Sequence, residues 1–543
     1  MRIFRYLSCS LLFITPLCRA SDIYFAQSAA GGNTGENCSN ARAVSTASGT
    51  DWTAGNTLHL CGTITATAGS AGFVAQGSGS SGSPIIVKFE TGAVLQAPYF
   101  GGGYACYSLA TCNAGIEIYG YNYVIVDGGT NGVIQNMANG TNLANQQTSA
   151  GVALYGNNLK VRNLTVQNIY INDPTTNDTA GAYTVDIVIP QGMQNTNISI
   201  CNNTLKNART GVASNGVGAS VPVYPSPSCS SNIFPAGQNY WGNTLYDHTW
   251  FFQTSPATAS IINIFNNDIS GVVNWEEPNN SFHTDGIITW GYPQSTLYAY
   301  NNYFHDSDFG TAPIYCTAGN TGSGSTCYIF NNLFVQQPIY ANLQSHGVWL
   351  NLSLGGTYNM GPFYLYNNTF INYSIPLELY GDGVLGLTVE NNLMSEGTTS
   401  VNYFYDKDTG SSVSLTTILT ASDYNSFYGG RAYGSFNSRG QNTWCWPQSG
   451  GPPSGCTGNP PWVNTGFDTH SVSANPLLTA SNTLAAGSPD IKAGTNLTSL
   501  CRTIAPLCYD AAGVARPTTG AWDIGAYQHL PPDPPTGLRA LVK

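Results

Sequence analysis

The chain has 543 residues, a formal charge of −11, only 8% charged side chains, and as many as 61 glycines and 33 tyrosines. So few Lys and Glu disfavour a helical protein, and the acidic balance disfavours nucleic acid as a partner. The abundance of Asn, Thr, Ser, Gly and Tyr suits many short strands joined by polar turns, so the expected class is all-β.

At the N-terminus, Arg2 and Arg5 precede an apolar run, "YLSCSLLFITPL", followed by "CRA" before Ser21. This is the layout of a secretory signal peptide, assigned to residues 1–20. No later segment approaches the ~20 apolar residues that would span a bilayer, so the processed chain is expected outside the membrane. Of the 14 cysteines, Cys9 and Cys18 fall in the leader. The other twelve are Cys38, Cys61, Cys106, Cys112, Cys201, Cys229, Cys316, Cys327, Cys445, Cys456, Cys501 and Cys508. They fall into sequence-adjacent couples with short loops, as expected of disulfides in an oxidising compartment, and none has the CxxC plus His spacing of a zinc site.

Next come "PIIVKFETGAVL" and "YVIVDGGTNGVI", two alternating segments in which Gly or Asp127 takes the turn. Eight later segments, among them "ISICNNTL", "INIFNNDI", "LYAYNNYF" and "FYLYNNTF", share one template: apolar, any, apolar, any, Asn, two free positions, apolar. The shared residue is Asn163, Asn202, Asn266, Asn301, Asn331, Asn367, Asn391 and Asn425, at intervals of 39, 64, 35, 30, 36, 24 and 34 residues. Only the 64 looks doubled. Units of this size with strand alternation and variable loops indicate a parallel β-helix. Asparagine tolerates the left-handed turn, and its amide can bond the same amide one rung away, so these residues are expected to form an internal ladder.

With the repeated "NN-x-F" turn, the entry "DIYFAQSAAGGNTGENCSNA" and the closing "AGVARPTTGAWDIGAYQH", the chain resembles secreted bacterial right-handed parallel β-helix proteins of the pectin-lyase-like superfamily. The resemblance covers nearly all of the mature sequence and implies a single domain over 21–530, including an N-terminal entry and a C-terminal cap. Residues 531–543 read as a proline-rich tail or linker. For reaction type the resemblance is unspecific, because that superfamily holds lyases, hydrolases, epimerases and non-catalytic surface proteins.

Candidate chemistry is found by measuring back from each asparagine, since equal offsets in a solenoid stack on one face. Asp186, Asp285 and Tyr315 lie 16 residues before Asn202, Asn301 and Asn331, and His248 lies 18 before Asn266. His346, 21 before Asn367, is a looser member of the same expected column. Carboxylates on alternate rungs would stand roughly 9–10 Å apart, near the spacing of an inverting glycosidase. His283 shares a strand face with Asp285 if the strand already runs there, and a neighbouring carboxylate raises an imidazole's pKa for acid or base work. Glu276, Glu277 and His305 sit on loops able to overhang that face. Asp306 and Asp308 form a DxD that could take calcium, although a solvated loop is the better explanation. Trp241, Trp250, Trp275, Trp290, Tyr292 and Trp349 offer faces for sugar rings, or serve as packing.

From Thr210 through Asp406 there is no Lys or Arg against twelve Asp and Glu, with Lys206 and Arg209 just upstream. An acidic face of this kind points to a neutral extracellular polysaccharide and to hydrolysis by Asp285, with Asp186 or one of Glu276 and Glu277 as its partner and His283 tuning the pair. No cofactor is firmly implied; calcium is possible. A non-catalytic glycan-binding adhesin and a calcium-dependent polysaccharide lyase are the competing readings.

Overall fold

The computed structural model describes residues 20–103, 106, 112–173, 183–190, 195–256, 258–272, 275, 283–291, 295–307, 309–318, 325–336, 346–351, 360–380, 384–396, 401–406, 414–429, 434–438, 442–446 and 461–530. The expected leader and tail, and the candidate residues Glu276, Glu277, Tyr292, Asp308 and Cys456, lie outside them.

Each coil contributes three short strands. One representative turn runs through Asp285–Gly291, Thr296–Tyr300 and Tyr303–His305, and each strand pairs in parallel with its counterpart in the coils before and after. The result is a right-handed parallel β-helix, in which the paired strands among the described residues are all parallel except for the closing hairpin of Gly434–Ser438 with Asn442–Cys445. Inward positions carry Val, Ile, Leu and Phe in one continuous core, which is why the strands read as apolar at every second residue. Phe304, Phe334 and Phe370 stack rung on rung at 4.9 and 4.5 Å inside it. Among the described residues no helix is long and apolar enough to cross a membrane.

The ladder is real but sits one residue later than expected. The first asparagine of each pair takes the left-handed bend, with φ of 52–60° at Asn202, Asn266, Asn301, Asn331, Asn367 and Asn391. The second is buried and forms the ladder: Asn203, Asn243, Asn267, Asn302, Asn332, Asn368, Asn392 and Asn425. Each Nδ2 donates to the next Oδ1 at 2.9–3.2 Å, and each Oδ1 from Asn243 onward also accepts a backbone N–H from the rung before. Asn425 alone matches the expectation, because Tyr424 takes the bend there. The doubled interval hides a coil turned by Gly242-Asn243, in which glycine supplies the positive φ.

The C-terminal segment folds back along the outside of the turn column. Its Leu497, Leu507 and Trp522 cover an aromatic stripe of Trp241, Phe265, Tyr300, Phe330 and Tyr366. The bend asparagines fasten it: Asn331 Nδ2 donates to the Tyr509 carbonyl at 2.7 Å, Asn367 Nδ2 to that of Asp523 at 3.1 Å and Asn391 Nδ2 to that of Thr495 at 2.9 Å. Four disulfides join the expected couples Cys38–Cys61, Cys106–Cys112, Cys201–Cys229 and Cys501–Cys508, and Cys445 is also disulfide-bonded. Cys316 and Cys327 break the pattern. Both are free thiols buried in the core, on strands from two different sheets of one coil.

Candidate functional site

The strands Val185–Ile189, Thr210–Ser214, Trp250–Thr254, Asp285–Gly291, Ala312–Ala318, His346–Asn351 and Ile375–Tyr380 are consecutive rungs of one sheet. Their outward residues form columns. One runs Val185, Thr210, Trp250, Asp285, Ala312; its neighbour runs Val188, Ala213, Gln253, Ile288, Tyr315, Trp349, Glu378. Over the middle rungs these columns become an aromatic surface, with Ile288, Ala312 and Tyr315 packed beneath Trp250, Trp290 and Trp349.

At its centre His283 is held from several sides. Its Nδ1 lies 3.1 Å from Asp285 Oδ2 and 3.0 Å from Thr311 Oγ1, and its carbonyl accepts the Trp250 indole N–H at 2.8 Å. Its backbone is left-handed, φ 53°, a conformation that costs a β-carbon residue energy and persists only where the surroundings fix it. The imidazole is half-exposed while the Asp285 side chain is fully buried. With Nδ1 occupied, Nε2 is the nitrogen left for proton transfer.

The electrostatics follow from burial. Desolvation lifts Asp285 to about 6, against which the His283 hydrogen bond and charge pull downward. Burial works against a charged His283, but the Asp285 hydrogen bond and charge outweigh it and raise the imidazole above its ordinary value. Tyr315, edge-on to the His283 ring at 5.3 Å, is raised by burial and by the nearby charges of Asp285 and Glu378, so its phenol stays protonated. Arg209 lies over the Trp250 ring at 4.3 Å and close enough for its charge to oppose that of His283. On the far side, His346 Nδ1 lies 3.1 Å from Glu378 Oε2, and the His346 ring meets Trp349 edge-on at 4.9 Å.

The expected Asp186–His248–Asp285–Tyr315 column does not form. Asp285 pairs in register with Trp250 and, two rungs further, Val185, while Tyr315 pairs with Ile288. Equal offsets misled because Val185 is 13 residues before Ile198, whereas Asp285 is 12 before Leu297, the residue that aligns with Ile198. Asp186 and His248 point inward instead. The His248 Nε2 reaches Asp186 Oδ2 at 2.7 Å, both side chains having no exposure, and passes Gly211, whose missing side chain leaves the room. Burial pushes Asp186 well above the usual carboxylate range and His248 down to about 3, so the pair is neutral and structural.

Other candidates lie elsewhere. His305 stands on a different sheet, clamped by Asp268 at 2.8 Å and Asp306 at 2.7 Å and stacked on Tyr303 at 4.0 Å. Among the described residues no group of three or more His, Cys, Asp and Glu could hold a metal ion, so Asp306 gains no described co-ligand. Trp241 and Trp275 are buried packing residues. Glu378 went unrecognised because it stands 13 residues before Asn391, sharing no offset with Asp285 or Tyr315; only strand register finds it.

The stacked parallel strands and the asparagine ladder define a parallel β-helix. Among solved structures the chain is similar to the GH136 lacto-N-biosidase from Eubacterium ramulus, at 12% identity and a TM-score of 0.42 over 71% of this chain and 67% of that one. It is also similar to pectate lyase Pel9A, at 15% and 0.40 over 94% and 96%. A mannuronic acid specific polysaccharide family 6 lyase from human gut microbiota follows at 12% and 0.31 over 75% and 86%. No family model matches the chain, and no curated protein matches it in sequence.

Proposed function

We propose that the protein is a secreted enzyme that cleaves an extracellular polysaccharide by β-elimination at His283. The observation that carries this reading is the His283–Asp285 pair on an outward aromatic surface beside Arg209 and Tyr315. In this scheme His283 Nε2 takes the proton α to a uronate carboxylate and the electron pair forms the ring double bond. The glycosidic oxygen departs from the adjacent carbon and takes a proton from the Tyr315 hydroxyl. Asp285 positions the imidazole and makes it a stronger base. Arg209 offsets the substrate carboxylate, so the cation-free span that begins at Thr210 does not describe the field at this point. Trp290 and Trp349 offer ring faces to neighbouring sugars.

Hydrolysis, favoured by the sequence, needs a second carboxylate about 5–5.5 Å from the first for retention or about 6.5–9.5 Å for inversion. Glu378 stands three rungs from Asp285, roughly 14 Å along the axis at ~4.8 Å per rung, too far for one water to bridge. The raised Asp285 still supports a second, hydrolytic reading in which that acid works with Glu276 or Glu277. A panel of neutral and uronate polysaccharides separates the two. Elimination releases sugars whose new double bond absorbs in the ultraviolet, and His283→Ala lowers that rate on the order of 100- to 10,000-fold. Reducing ends without ultraviolet absorbance would replace elimination with hydrolysis. Binding without turnover across the panel would replace both with an adhesin.

A further inference from the structure

A second groove lies at a different corner of the coil, over the turns that join the other two strand stacks. Its volume is about 510 Å³, within the range of ligand sites. One wall is the Tyr224–Ser226 loop, the other is Ala511–Gly513 of the C-terminal segment, and the floor carries Asn266, Asn301 and Tyr303.

The floor continues the same column of bend asparagines that fastens the C-terminal segment. Asn331, Asn367 and Asn391 spend their amides on that segment's backbone. Asn266 and Asn301 occupy the preceding rungs, where Asn266 is exposed and Asn301 Oδ1 is buried with no hydrogen-bond partner. On these two preceding rungs no described segment covers the asparagines: Asn266 stands exposed in the groove floor and Asn301 lies half-buried beside it. Tyr224, stacked on Tyr509 at 3.5 Å, keeps 38% of its surface exposed in the groove wall. Asp268 adds an acceptor at the floor, and no Lys or Arg lines the groove among the described residues.

We infer that this groove is a binding site for a neutral oligosaccharide, separate from the His283 surface and independent of the reaction there. Its chemistry is that of sugar recognition: side-chain amides and a carboxylate for hydroxyls, and tyrosine rings for the apolar faces of pyranoses. The floor carboxylate Asp268 shares His305 with Asp306, so two acids surround one histidine and the local balance stays negative, which disfavours polyanions.

The test is affinity electrophoresis of the full chain in gels containing galactomannan, xyloglucan, hydroxyethyl cellulose, laminarin or polygalacturonate. At least one neutral polymer should retard the protein. That retardation should persist in His283→Ala and fall at least tenfold in apparent affinity in Tyr224→Ala and in Asn301→Gly, which keeps the left-handed bend. Tyr224→Phe, which keeps the stacked ring, should retain it, and unchanged thermal midpoints establish that each variant is folded. No retardation by any neutral polymer, retardation by polygalacturonate alone, or retardation that Trp349→Ala removes and Tyr224→Ala does not, would overturn the assignment.

Discussion

Asp285→Asn should lower activity to a measurable residual level while making the protein less sensitive to rising pH. The buried carboxyl titrates near 6 in the folded chain against an ordinary value of 3.8. Because the folded chain binds this proton more tightly than the unfolded one, the contribution to stability is fully present below about pH 4. It is lost as pH rises through about 6. A displacement of about two pH units corresponds to about 3 kcal/mol at about 1.4 kcal/mol per unit. His283 shifts in the same sense, since its raised folded value also means stability lost as pH climbs past it. Asparagine cannot titrate, so urea unfolding at pH 4 and pH 8 should show the variant gaining about 2–3 kcal/mol on the wild type between those conditions. It should start below the wild type at pH 4, where it lacks the protonated acid, and approach or pass it at pH 8. A difference that stays constant over this interval, or moves in the opposite direction, would refute the claim that Asp285 is held in a dry environment.

The same variant reports on positioning through the rate: with Asp285 neutralised, the alkaline rise in kcat/KM set by His283 should move to lower pH, whereas a purely structural residue would leave the limb in place. In the ladder, Asn302→Ala leaves the Asn267 N–H and the Ile264 carbonyl short of a partner and should cost about 2–4 kcal/mol in urea unfolding. Asn301→Gly keeps the left-handed bend and should cost under about 1 kcal/mol; the reverse ranking would put the ladder on the wrong asparagine. Peptide mapping without reductant should recover Cys201 linked to Cys229, and Cys316 and Cys327 as alkylated thiols once the chain is unfolded. A Cys316–Cys327 linkage would contradict the free pair.

Local chemistry made much of this molecule legible. Alternating apolar residues ending in paired asparagines required stacked strands with a left-handed bend, because few other residues accept that conformation and also offer an amide to the next rung. The choice between the two asparagines was not legible, since both are the same residue in the same tetrapeptide and only the direction of each side chain separates the bend from the ladder. Gly242-Asn243 escaped the template for the same reason: glycine does the work of the first asparagine without resembling it.

What the sequence by itself determined was the architecture, through a pattern repeated often enough to fix how each coil turns, and the short-range contact of His283 with Asp285 two residues away. What only the tertiary structure decided was register. Loops of unequal length between strands make equal chain offsets land on different columns, so Asp186 and His248 turn inward to each other while Arg209, Tyr315 and Glu378 gather around residues far from them in the chain. A parallel solenoid aligns its rungs by backbone hydrogen bonds and core packing, and those forces are indifferent to the number of residues looped out between one strand and the next.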